Sequence, residues 1–141
     1  MNKLLGLADI RDWIKSLNYT ASENCYIGKL DNKKDKSIGV YQLKTSNEAN
    51  VAIGGIDNTK TLEKSVSILI HWNKNAKETE EISNEIYNKF LESKEFIIND
   101  IKINYIRLLV PEAVDVGTDD KNIYERVIQA IFYYEKKEKE E

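Results

Sequence analysis

Residues 64–72 read Lys-Ser-Val-Ser-Ile-Leu-Ile-His-Trp, and just beyond them the chain changes its hydrophobic period. In an extended segment Val66, Ile68, Ile70 and Trp72 share one face, while Ser65, Ser67, Leu69 and His71 share the other, so His71 is expected on the more polar side. From Asn75 the period becomes helical. Asn75 followed by Glu78 has the form of an N-cap with a capping box, and Glu80 and Glu81 suit the positive end of a helix dipole. The predicted buried stripe is Ile82, Ile86 and Phe90, with Tyr87 and Leu91 on the adjoining row, and the helix runs out near Ser93. A strand that leads into an amphipathic helix calls for a sheet with a helix laid against it.

The remaining segments supply more of both elements. Leu7, Ile10, Trp13, Ile14 and Leu17 fall on one helical face, which predicts an amphipathic helix ending near Asn18. Cys25–Leu30 and Ser37–Leu43 are apolar, β-branched and aromatic runs on either side of the charged connector 31–36, and they read as a hairpin. Residues 44–50 are polar, Val51-Ala52-Ile53-Gly54-Gly55-Ile56 ends in two glycines that permit positive φ, and the loop is expected to continue through Thr61. Phe96-Ile97-Ile98, Asn99-Asp100 and Ile101–Val110 read as a second hairpin, with Ile101, Ile103 and Tyr105 alternating against Lys102 and Asn104. Pro111 ends that strand because it has no N–H to donate, and Pro111–Asn122 reads as a long acidic loop pivoting at Gly117. Ile123–Tyr134 is compatible with a helical stripe, but its density of Ile, Val, Tyr and Phe favours a strand buried on both faces.

The expected fold is therefore α+β: a mostly antiparallel sheet with two main helices, in the order α-β-β-β-α-β-β-β. Residues 1–134 form one domain and 135–141 a solvated charged tail. A chain of 141 residues is long enough to bury roughly two thirds of its unfolded surface without a disulfide or metal. The lone Cys25 sits in an apolar run as a small buried hydrophobe, which suits a reducing compartment. No segment approaches the roughly 20 apolar residues of a membrane span, so a cytosolic site of synthesis and no membrane partner are expected. A net charge of −3 offers little to a phosphate backbone, which disfavours nucleic acid as a tight ligand.

The search for chemistry returns no catalytic set. His71 is the only histidine; a general base needs a nucleophile and an orienting acid, and the sequence places only Ser65 and Ser67 on its strand face. It reads as structural or partner-facing, and His71→Gln is expected to leave folding nearly intact. One His and one Cys, far apart, cannot complete a transition-metal site. Gly54-Gly55 lacks the rest of a phosphate-binding loop. Asp115, Asp119 and Asp120 around Gly117 do not have the spacing of a calcium loop, and Tyr26, Tyr41 and Tyr105 fit sheet packing better than base stacking. No cofactor is expected. A small enzyme or ligand-binding module would need a pocket with convergent polar groups, and the sequence displays none.

Several segments taken together resemble a family of bacteriophage minor capsid proteins, similar in turn to the tail-terminator and tail-completion proteins of long-tailed phages. They are Cys25-Tyr26-Ile27-Gly28-Lys29-Leu30, Ser37-Ile38-Gly39-Val40-Tyr41, Val51-Ala52-Ile53-Gly54-Gly55, Val66–Trp72 with Glu78-Thr79-Glu80, and Leu109-Val110-Pro111-Glu112-Ala113-Val114-Asp115-Val116-Gly117-Thr118-Asp119. The resemblance covers residues 8–134 or so. It implies a non-enzymatic virion subunit, made in the bacterial host, that assembles as a ring, usually a hexamer, on the end of a finished tail tube. That ring presents a surface to the head-tail connector or head-closure protein, and DNA only passes through it. A head-closure role is the neighbouring alternative. On this reading the exposed loops carry the ring and partner contacts, and Ile53, Gly54, Gly55, Ile56, His71, Pro111, Glu112, Val114, Asp115, Val116 and Gly117 are the candidate interface residues.

Overall fold

The computed structural model describes residues 2–28, 34–43, 61–135, 137 and 138. In chain order these form β1 (Asn2–Lys3), α1 (Leu7–Ser16), a 3-10 turn at Ser22–Asn24, β2 (Cys25–Ile27), β3 (Ser37–Gln42), β4 (Thr61–His71), α2 (Ala76–Glu92), β5 (Lys94–Ile98), β6 (Ile101–Leu108), β7 (Val114–Thr118), β8 (Tyr124–Glu135) and β9 (Lys137–Glu138). The fold is α+β as expected. Of the predicted interface residues, Ile53, Gly54, Gly55 and Ile56 lie outside the described residues.

The long strand β8 organises the sheet, whose order is β2-β3-β4-β8-β6-β5 with β7 also on β8. On one side β8 meets β4 antiparallel, in unbroken register from Thr61↔Glu135 to His71↔Glu125. On the other side β6 covers Ala130–Tyr134 and β7 covers Tyr124–Val127. The alternation of β4 is as predicted on its core face: Val66, Ile68 and Ile70 are fully buried and Trp72 is nearly so. Both helices pack on that face, α2 over β8 and β6, and α1 against β2, β3 and β5. Since β2 and β5 are opposite ends of the strand order, a helix that touches both requires the sheet to curl around it, as the right-handed twist of strands allows.

Aromatic rings fill the curl. Trp13 of α1 lies 4.9 Å from Phe96, 5.2 Å from Phe90 and 5.8 Å from Phe132, centroid to centroid, and so ties both helices to β5 and β8. The Trp13–Phe132 pair is edge-to-face, at 83° between the ring planes, a geometry that adds to the stabilisation from burial alone. The helix starts are also set locally. The Asp9 carboxylate accepts the Gly6 N–H at 2.9 Å, and the Asn75 side chain accepts the Glu78 N–H at 3.0 Å as the sequence predicts. The stripe of α2 is more polar than predicted, with Thr79 and Ser83 buried beside Ile86 and Phe90, while Leu91 is exposed.

Three expectations are corrected. The first hairpin is not one: β2 and β3 pair in parallel, Cys25 opposite Ile38 and Ile27 opposite Val40. Gly28, at φ 71, turns the chain at the end of β2 and donates its N–H to the Val40 carbonyl, and hydrophobic runs carry no sign of strand direction. In the second hairpin Asn99 and Asp100 both take positive φ, as a two-residue turn requires, but a bulge between Ile103 and Tyr105 breaks the alternation. It puts Tyr105 outside, stacked on Tyr133 at 4.6 Å, and buries Ile106 instead. The acidic loop 111–122 contains a strand, β7. Beyond β8, Lys137 and Glu138 pair antiparallel with Lys3 and Asn2.

Candidate functional site

The segment from Leu109 to Thr118 differs from strands β2 to β6 and β8, because it contributes almost nothing to the core. All five residues of β7 are exposed. Among the apolar ones Leu109 is 41 %, Val114 42 % and Val116 52 % exposed. Only Ala113 is buried. Between Leu108, opposite Ala130, and Val114, opposite Val127, the chain spends twice as many residues as β8 does. The surplus is thrown outward as a jog with Pro111 and Glu112 at its exposed tip.

An exposed arm of this composition would fray if nothing held it, and here side chains from three directions reach its backbone or its far turn. The Tyr87 hydroxyl of α2 donates to the Val110 carbonyl at 2.7 Å. Arg126 of β8 donates to the Ala113 carbonyl at 3.1 Å and pairs at 3.3 Å with Glu80, in the N-terminal part of α2. Within the arm, the Asp115 carboxylate accepts the Gly117 N–H at 2.8 Å. Gly117, at φ 95, takes up the register shift between Asp115 and Gly117, a left-handed position that favours glycine.

The far end is held by Asp119 and His71. One carboxylate oxygen of Asp119 accepts the N–H groups of Lys121 and Ile123, at 2.9 and 3.0 Å, which closes the turn between β7 and β8. The other lies 2.8 Å from Nε2 of His71. The carboxylate is acceptor-only, so the imidazole proton sits on Nε2. Nδ1 finds no partner among the described residues. Burial works to raise the Asp119 pKa, but the hydrogen bonds from His71, Ile123 and Lys121 outweigh it and hold the carboxyl below its usual range. Glu125, directly across from His71 on β8, is shifted the other way: burial raises it, with His71 opposing and Asp119 adding to the shift.

This geometry corrects the placement of His71. It lies on the strand face opposite Trp72, as predicted, yet it is fully buried, because the turn at Asp119 folds over it. Its side chain meets Asp119 of its own subunit. Among the described residues no nucleophile is hydrogen-bonded to it: the side chain of Ser37, the cross-strand residue on β3, donates instead to the Lys34 carbonyl at 3.1 Å. No group of three or more metal-ligating side chains occurs among the described residues, and none of their helices is long and apolar enough to cross a membrane. Pro111, Glu112, Val114, Asp115, Val116 and Gly117 do come together, on one exposed arm. The residues that fix them, Tyr87, Asp119 and Arg126, escaped sequence reasoning. For Asp119 a signal exists, since an aspartate ahead of Lys-Asn-Ile is able to accept backbone N–H groups two and four residues on.

Comparison with protein families matches residues 4–136 to the family described as bacteriophage tail terminator protein, and the chain belongs to that family. No curated protein matches it closely enough to report.

Proposed function

We propose that this tail terminator closes the tube as a ring of identical subunits, and that the arm 109–118 is one of the surfaces through which the ring is built or docked. Family membership makes the chain a structural, non-enzymatic component of the phage tail that meets the tail tube. The observation that carries the rest is the arm: an all-exposed strand, with Leu109, Val114 and Val116 outward and four side-chain tethers holding it. Rigid, exposed apolar residues ringed by acids are the makings of an interface, since a preorganised surface loses little entropy on docking.

The mechanism is one of capping. A tube of stacked identical rings exposes at its growing end the same surface that recruits the next ring, so growth does not limit itself. A terminator with one face complementary to the tube and a different face beyond it removes the growth site and, on this reading, creates the docking site for the head-tail connector or head-closure protein. We read the ring as a hexamer assembled in the host cytoplasm, with DNA passing through without being gripped, as the acidic net charge of −3 favours. Electron microscopy of lysates from a deletion of the gene tests this. The expected result is tails of irregular, often excessive length with filled, tailless heads. Normal-length tails joined to heads would refute the reading, and normal-length tails left unjoined would move the chain to head closure.

A further inference from the structure

A second surface feature complements the arm. At the C-terminal ends of α1 and α2, beside the start of β5, a groove of about 370 Å³ opens between the helices. Its floor is apolar: Trp13, Leu17 and Phe96, of which Trp13 and Phe96 are fixed by their mutual ring contact and by packing on the core. Its rim carries two cations, Lys89 and Lys94, with one acid, Glu92, and Ser93 between them. Lys89 has only a loose pairing with Glu92, at 3.9 Å, and Lys94 has no ion pair among the described residues. The arm has the opposite polarity. Its exposed Leu109, Val114 and Val116 are interleaved with Glu112 and Asp115, neither of which makes an ion pair among the described residues.

The two features lie apart on one subunit. The arm pairs with β8 at Tyr124–Val127, whereas Lys94, on the groove's rim, sits opposite Tyr105, which in turn sits opposite Tyr133. The six steps along the strand from Val127 to Tyr133 correspond to roughly 20 Å at about 3.3 Å per residue. A patch and its complement at different places on the same molecule make a head-to-tail contact, and such contacts generate a ring when the rotation closes.

We propose that the arm of one copy seats in the groove of the next, with Val114 and Val116 over Trp13, Leu17 and Phe96, and with Glu112 and Asp115 facing Lys89 and Lys94. The contact rests on the ring reading above and names its two faces. Apolar burial supplies the attraction, and the charged rim sets the register and excludes other seatings.

The test uses tails assembled in cells that lack the native gene and are supplied with the full-length chain, with copies per purified tail counted against the tube protein. Glu112→Lys with Asp115→Lys, or Lys89→Glu with Lys94→Glu, should each lower the copies per tail at least tenfold. All four substitutions in one chain should restore them. Each variant's melting temperature, measured on the isolated subunit, verifies that it still folds. A charge-neutral arm of the test joins Val116→Cys with Leu17→Cys: a disulfide-linked ladder on a non-reducing gel is expected from assembled tails only when both cysteines are present. Either reversed pair incorporated at the wild-type number, a fourfold variant that is not restored, or no ladder from tails with normal copy number would overturn the contact. A wild-type chain present in one copy per tail would remove the ring reading itself.

Discussion

The two edges of β8 are built on opposite plans. Along one, β4 runs beside it without a break for the whole of its length, and every second side chain of β4 from Val66 to Ile70 is fully buried under the helices. Along the other, two shorter strands share the same backbone, separated by a jog and each containing a register shift. The first edge buries side chains along its length; on the second, β6 still buries Ile101, Ile103 and Ile106, and it is β7 that gives up burial so that its side chains point outward. A single strand thus joins the buried core to the exposed arm proposed above as an interface, and hydrogen bonds carry the geometry of one to the other.

Adjacent residues at the end of β4 sharpen the contrast most. Trp72→Ala removes a large, buried side chain from the core and is expected to destabilise the subunit by about 3 to 5 kcal/mol, as measured by chemical denaturation. A loss near 1 kcal/mol would mean that the core does not extend to the strand's end. His71→Gln should cost less, about 1 to 3 kcal/mol, because it breaks a charge-assisted hydrogen bond and leaves Asp119 short of a partner. That reverses the sequence-based expectation that the substitution leaves folding nearly intact, and the reason is burial: the residue is not on a solvated face. Amide exchange should speed up across 114–123 and stay unchanged in residues 61–70; uniform acceleration would break the division between the two edges.

The acid limb of stability tests the same clamp. Asp119 has a lowered folded-state pKa, so its contribution is complete above the ordinary aspartate range and is lost as pH falls through the depressed value. Asp119→Asn should therefore reduce stability at neutral pH and flatten the decline on acidification. Glu125 has the opposite sign. Its pKa is raised, so folding is penalised as pH climbs from the ordinary glutamate value through the raised one, and Glu125→Gln should stabilise the subunit slightly at neutral pH. Melting curves between about pH 3 and 7 would show both slopes; a wild-type slope in Asp119→Asn would remove Asp119 from the account. The smallest effect on stability is expected on the arm. Val116→Asp should change it by no more than about 0.5 kcal/mol, as for other exposed positions, while impairing tail assembly. A large loss of stability there would mean that Val116 supports the fold.

The sequence by itself determined the elements whose side chains are sorted by water. The alternation of Val66, Ile68, Ile70 and Trp72, the stripe of Ile86 and Phe90, the Asn75 cap and the Asn99-Asp100 turn are all local, since each is set by residues within a turn or two along the chain. Tertiary structure alone decided what depends on distant partners. Cys25–Ile27 had the composition of a strand, but whether it ran with or against β3 lay with the path of the connector. Val114–Thr118 had no buried face to leave a period, because it is held as a strand by backbone pairing to β8 and by the side chains of Tyr87, Asp115, Asp119 and Arg126. His71 looked exposed because its own strand face is polar, and it became buried only when Asp119, 48 residues further on, closed over it. Hydrophobic periodicity records what a segment hides from water, and it is silent on which distant segment does the hiding.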